Sequence, residues 1–221
     1  MPTQPRRERA REERRDLIVR TARDLAETEG WESVTTRRLA EAVDYSQPVL
    51  YGHFKNMDAI AAAVALEGFV ELAAALRAAR LSGESGGGAS GPAAGRSGSD
   101  RDGAVAADAA GLRAVAEAYL GYAEEHPAVY EAMFVRRTDL AFGGAESPAA
   151  LKAAFGEIQA GVTPFAGGDA ETLTEVFWSA LHGQATLNQG ARLRPSHRQA
   201  RADLLATLLT SGSSFRKQTV T

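Results

Sequence analysis

VTTRRLAEAVDYSQPVLYGHFKNMDAI, residues 34–60, reads as two short helices joined by a tight turn. Thr35 and Thr36 each carry a hydroxyl able to accept a free backbone N–H at a helix start, and Leu39, Ala40 and Val43 then fall on one face. Asp44 ends that helix at a point where a left-handed backbone is often needed, which Asp tolerates better than most residues. Ser46 restarts the chain as a second cap. Pro48 sits within the first turn, where a missing N–H leaves no donor unpaired.

On the second helix Leu50 and Phe54 lie four apart and anchor it to a core, leaving Gln47, Pro48, Val49, Tyr51 and His53 to project elsewhere. That other face carries groove-reading chemistry. Gln pairs bidentately with adenine in the major groove, and Pro48 and Val49 offer apolar surface to a thymine methyl. Tyr51 and His53 each supply a directional hydrogen bond suited to a phosphate, and Lys55 adds a point charge. Arg37, in the first turn of the preceding helix, is long enough for a guanine or a phosphate.

With those residues in place, TTRRLAEAVDYSQPVLYGHFKN resembles the DNA-binding segment of the TetR-type regulators, and the QPxLYxHxKN part resembles the tetracycline repressors. The resemblance implies base contacts by Arg37, Gln47, Pro48 and Val49, and phosphate contacts by Thr35, Ser46, Tyr51, His53 and Lys55, with Thr36 beside them at the helix start. Two positions depart from the family pattern. Gly52 stands where a bulky residue is usual, and Met57 where Lys is frequent. Further along, WSALHGQATLNQG (residues 178–190) is similar to the penultimate helix of a Trp…His-Gly subgroup. Such proteins dimerise through their two C-terminal helices, and a small-molecule effector releases them from a palindromic operator.

The chain before this segment is basic. Eight arginines between Arg6 and Arg23 face only Glu8, Glu12, Glu13 and Asp16, although the whole chain of 221 residues carries a net charge of −3. A protein with that balance meets nucleic acid through a patch and not through its overall field. Residues 1–10 are expected to form a basic arm and 11–57 a three-helix helix-turn-helix domain, with Ile18, Ala22 and Leu25 on the first helix's inner stripe, Gly30 as its stop, and Trp31 and Val34 in the core. At 44% hydrophobic residues the chain can bury a substantial core. It has no cysteine, which excludes disulfides, thiolate metal sites and cysteine nucleophiles. No apolar run approaches the roughly 20 residues needed to cross a bilayer, and the N-terminus shows no signal-peptide pattern, so a cytoplasmic protein without membrane contact is expected.

Residues 58–221 are expected to form a helical effector-binding and dimerisation domain. A long alanine-rich helix starts at Asn56 or Asp58 and keeps an apolar stripe of Ile60, Val64, Phe69, Leu72 and Leu76 to about Arg80. Residues 82–103 are so rich in Gly, Ser and Ala that a disordered loop is expected there. Helical patterning returns at Ala104, breaks at Pro127, and resumes to a last pair at about 169–190 and 196–211, whose Leu173, Val176, Phe177, Leu181 and Leu187, and Leu204, Leu205, Leu208 and Leu209, give faces broader than a monomer needs. No strand alternation persists. The fold class is all-α with about nine helices.

The reading is therefore a DNA-binding regulator, a repressor acting as a homodimer on a palindromic operator, with two recognition helices about 34–36 Å apart. His126, Phe134, Phe155, Phe177, Trp178 and His182 are the candidates to line an effector pocket. The alternatives are a helical enzyme and a protein-interaction scaffold. His182 has no partner at metal-binding helical spacing, no glycine-rich phosphate loop opens a helix, and no serine sits in a nucleophile elbow, so no catalytic residue, metal or cofactor is assigned.

Overall fold

In the computed structural model, which describes residues 4–86 and 99–216, nine α-helices and three short 3₁₀ turns account for the regular structure, and no strand occurs among the described residues. The helices are α1 (Gln4–Glu29), α2 (Thr36–Ala42), α3 (Gln47–His53), α4 (Met57–Gly86), α5 (Ser99–Glu125), α6 (Pro127–Phe134), α7 (Ala149–Val162), α8 (Ala170–Gln189) and α9 (Arg198–Arg216). Contacts group them into two compact units. One holds Met1–Phe69 with His126–Leu151, the other Val70–Glu125 with Lys152–Thr221.

In the first unit α1 buries Ile18, Val19, Ala22 and Ala26, one stripe at helical spacing, with Leu25 only half-buried beside it. Gly30 stops the helix with φ 79°, a conformation open to glycine without steric cost. Trp31 and Val34 then turn into the core. The helix begins at Gln4, so the part of the expected basic arm of residues 1–10 from that residue onward is helical. Arg and Glu at these positions are good helix formers, and the helical pattern simply continues toward the terminus.

The expected helical domain of residues 58–221 is divided differently in space. α6 packs on α1 within the first unit, where the Glu27 carboxylate accepts the backbone N–H groups of Ala128 and Val129, each at 3.1 Å. His126, at the start of α6, makes no side-chain cap, so Glu27 supplies from α1 the acceptor that the helix end requires. The Trp31 Nε1–H donates to the Ala128 carbonyl at 2.8 Å. Gly68 of α4 completes this packing: a Cβ there would collide with the Val129 side chain.

Asn56 caps α4, its Oδ1 accepting the Ala59 N–H at 2.9 Å. The expectation that no apolar run could cross a bilayer needs correcting here: residues 57–85 are long and apolar enough by length and composition, with mean hydropathy 1.9 in a window 50% buried within the protein. That burial follows the stripe read from the sequence, since Ile60, Val64, Phe69, Leu72 and Leu76 are all almost wholly covered. A core helix passes the same test.

In the second unit α5 packs on α8 and α9 around Leu112, Val115, Tyr119, Phe177, Leu181 and Ala206. The Arg198 guanidinium bonds both oxygens of Glu124 at 2.7 and 2.8 Å, joining α9 to α5. A half-buried Arg80 pairs with Glu157 of α7 at 2.9 Å and with Glu84 one turn along α4 at 3.0 Å. The loop expected over 82–103 is shorter on both sides, because α4 runs on to Gly86 and α5 begins at Ser99; residues 87–98 lie outside the described residues. Gly83 explains part of the difference. A Cβ there would fall 2.8 Å from the Ala110 carbonyl oxygen and the Gly111 Cα, so this glycine permits a close approach of α4 and α5. Replacing Gly83 with Ala should lower stability by about 1–3 kcal/mol, because backbone atoms on α5 must move. Urea unfolding measures this, and an unchanged midpoint would contradict the close approach.

Candidate nucleic-acid interface

The two helices of the 34–60 segment form as their caps require. The Thr35 Oγ1 accepts the Arg38 N–H at 3.2 Å, which assigns the cap to Thr35 and places Thr36 inside α2. Asp44 takes φ 56°, the left-handed turn read from the sequence. Ser46 stands at the α3 cap position with extended backbone, but its hydroxyl makes no cap bond. The reason is local: Pro48 has no N–H, and the Val49 N–H is already taken by the Ser46 carbonyl at 3.0 Å. The Ser46 hydroxyl therefore remains available to a ligand.

α3 is anchored from one side and open on the other. Leu50 and Phe54 are buried, and the Arg15 guanidinium of α1 lies 5.0 Å from the Phe54 ring centroid, a cation–π contact that fixes the end of α3 against α1. Gln47, Pro48, Val49, Tyr51 and Lys55 are all exposed. Val49 at 39% and Tyr51 at 55% are large apolar or aromatic side chains left in solvent on a helix of only seven residues, which marks the face as one built for contact. The Tyr51 hydroxyl is 3.4 Å from the Thr36 hydroxyl, so α2 orients the phenol.

Arg37 projects into solvent, its side chain 80% exposed, and bonds Glu41 one turn along at 2.9 Å. A pair this exposed is weak and gives way readily to a phosphate or base edge. Arg38, to which the sequence assigns no role, holds both Glu29 oxygens at 2.6 and 2.8 Å and braces the start of α2 against the end of α1. Glu27, Trp31 and Arg38 are thus supports for the reading head. Their partners lie in other elements, and only Arg38 with Glu29 is close enough in sequence to suggest itself.

His53 is a perturbed group at the edge of this face. It is half-buried with Nδ1 covered and without a partner, and it forms one wall of an open cleft of about 840 Å³ between α3 and the first turns of α1. Burial, then the positive charges of Arg11, Arg14 and Arg15, hold its pKa below the ordinary 6.5. It is therefore neutral at pH 7. The sign follows from linkage: the unfolded chain binds this proton more readily, so His53 costs stability as pH falls through 6.5. A phosphate beside the ring would favour the imidazolium and raise the pKa. A histidine-resolved NMR titration should show His53 ionising below pH 6.5 in the free protein and higher with duplex bound, so that duplex affinity grows as pH drops from about 7.5 to 6. An unmoved titration with duplex present would separate His53 from the phosphates.

The six residues expected around an effector are divided between the two units. His126 and Phe134 belong to the first unit, where Phe134 packs edge-on against Phe69 with centroids 5.3 Å apart. Phe155, Phe177, Trp178 and His182 belong to the second. Phe177 has no exposed surface and serves as core. The Trp178 Nε1–H donates to the Tyr119 hydroxyl at 3.0 Å, with the His182 ring 6.0 Å from the indole. Burial alone lowers the His182 pKa, leaving a neutral ring in the second unit.

Comparison with known proteins agrees with this architecture. Residues 18–64 match the model of bacterial regulatory proteins of the tetR family, and residues 112–211 match that of the tetracyclin repressor-like C-terminal domain. The tetracycline repressor protein class C of Escherichia coli is 49% identical over 51 residues, a match that spans 23% of this chain and 23% of the repressor. Among solved structures, a protein of unknown function from Rhodococcus sp. RHA1 aligns with TM-score 0.66 and 22% identity over 90% of this chain and 93% of its own. The TetR family transcriptional regulator PfmR from Thermus thermophilus aligns with TM-score 0.55 and 19% identity over 89% and 95%. Those two likenesses establish the fold. With both family domains matched in order along one chain, and an all-helical fold to carry them, the protein belongs to the TetR family of bacterial regulatory proteins.

Proposed function

We propose that the protein is a sequence-specific DNA-binding transcriptional regulator, a repressor that a small-molecule effector releases from a palindromic operator. The observation that carries this reading is the exposed face of α3. Gln47, Pro48 and Val49 stand in its first turn, flanked by Tyr51, His53 and Lys55, on a helix whose other side is locked by Leu50 and Phe54. Side chains at the start of a recognition helix are the ones that reach base edges, and those further along meet the phosphates. In this assignment Gln47 reads an adenine, Pro48 and Val49 pack on a thymine methyl, and Arg37 adds a guanine or phosphate contact. Thr35, Thr36 and Ser46 complete the phosphate set with their hydroxyls. Such a reader works in the cytoplasm, where the DNA is.

The reading includes a homodimer. Val176 and Leu187, three turns apart on α8, and Leu204 and Leu208, one turn apart on α9, are 42–63% exposed. Each pair lies on one face of its helix, and together they are a surface for a second copy. Two copies present two α3 helices, which suits a two-fold operator. The effector assignment rests on the second unit, where Trp178 and His182 stand half-buried beside Tyr119. α4 is continuous from Met57 to Gly86, so a ligand-driven shift in its later turns is passed along one helix toward α3.

Duplexes selected from a random pool test the assignment. Gln47→Ala should cost about 1–3 kcal/mol at a particular base pair of the selected site, whereas Lys55→Ala should weaken all duplexes alike. Equal losses on selected and random duplex for both variants would overturn the division of roles.

A further inference from the structure

The cleft beside α3 has two unlike walls. One is the edge of the reading helix, with Val49, Gly52 and His53 one turn apart. The other is the first part of α1, where Arg7, Arg11 and Arg14 follow one another at spacings of four and three and so share a helix face. Among the described residues no carboxylate lines the cleft. Glu8, Glu12 and Glu13, which halve the charge of this stretch in sequence, fall roughly a quarter turn or more round the helix, at about 100° per residue. The alternation of Arg and Glu in sequence thus becomes segregation in space.

Gly52 shapes the floor. Nothing lies within 4 Å of where its Cβ would be, so the residue is not glycine for want of room within the protein. Its effect is to leave the space between the arginines and α3 unfilled. His53, with Nδ1 covered and without a partner, stands at the same wall. The guanidinium groups of Arg6, Arg7, Arg11 and Arg14 and an open volume of about 840 Å³ describe a seat for a bulky oxyanion.

We propose that this cleft seats a phosphodiester of the DNA strand that runs past the base pairs read by Gln47–Val49, making the helical extension of α1 a DNA-contacting element in addition to α2 and α3. The inference rests on the DNA-reading function and adds to it a phosphate seat contributed by α1. The geometry favours a strand over a free anion because Val49, itself a base-facing residue, forms part of the same wall. A strand leaving the groove at α3 has this cleft next in its path.

Fluorescence anisotropy over a range of salt concentrations, with the selected duplex prepared with and without flanking base pairs, tests it. The variant R7A/R11A/R14A should fold as the wild type does, because all three side chains are exposed. It should bind with a log–log salt slope shallower by about 0.9 for each phosphate lost, and gain nothing from the flanks. Its ranking of single-base substitutions in the site should not change. The Lys triple variant should recover most of the slope, because an ammonium also neutralises a phosphate. A wild-type slope and an undiminished flank effect in R7A/R11A/R14A would overturn the cleft while leaving α3 as reader. Wild-type protein that ignores every duplex at low salt would overturn both.

Discussion

The reading head depends on a hydrogen-bonded tie between segments about a hundred residues apart in the chain. Glu27 accepts the first free N–H groups of α6, and Trp31 donates to the Ala128 carbonyl in the same turn. An unpaired buried donor costs about 1–3 kcal/mol, so three satisfied groups in one place set the register of α6 on α1 firmly. The Arg136 guanidinium lies 5.0 Å from the Trp31 ring centroid and closes the indole from another side. With α1 so fixed, Arg38 on Glu29 and Arg15 on Phe54 fix α2 and α3 in turn. A helix of seven residues has little stability of its own, and α3 holds its shape because its neighbours impose it.

Electrostatics on this head are arranged by helical phase. The net charge of the chain is negative, yet the arginines of early α1 converge on the cleft beside His53 while the interleaved glutamates turn away. The same logic holds the half-buried Arg80 between two carboxylates in the second unit, where the pairing is structural. Arg37 differs from both. Its single exposed partner leaves it free to exchange Glu41 for a stronger acceptor.

What the sequence disclosed was mostly local. An α2 cap from the Thr35–Thr36 pair, the left-handed Asp44, the stop at Gly30 and the i, i+4 anchors Leu50 and Phe54 are each set by residues a few positions apart, and each is found in the structure. The α4 stripe was legible for the same reason. Glycine was harder to read. Gly83 looks in sequence like loop composition, and in space it is where α4 and α5 touch. The boundary at residue 58 missed that α6 packs with the N-terminal helices, since nothing local to Glu27 announces a partner at Ala128. The cleft was half-visible: the arginines were plain, but their common face depended on α1 extending back to Gln4. Aromatic type suits Phe134, Phe155, Phe177 and Trp178 to an effector, but type does not tell which unit a side chain joins.

The proposed regulatory role requires a pair of α3 helices to enter successive turns on one face of a DNA duplex. Hydroxyl-radical footprinting of the protein on its selected duplex reads that geometry at single-nucleotide spacing. Two protected patches are expected on one face, centred about 10 base pairs apart. A single patch, or uniform cleavage at low ionic strength, would contradict it.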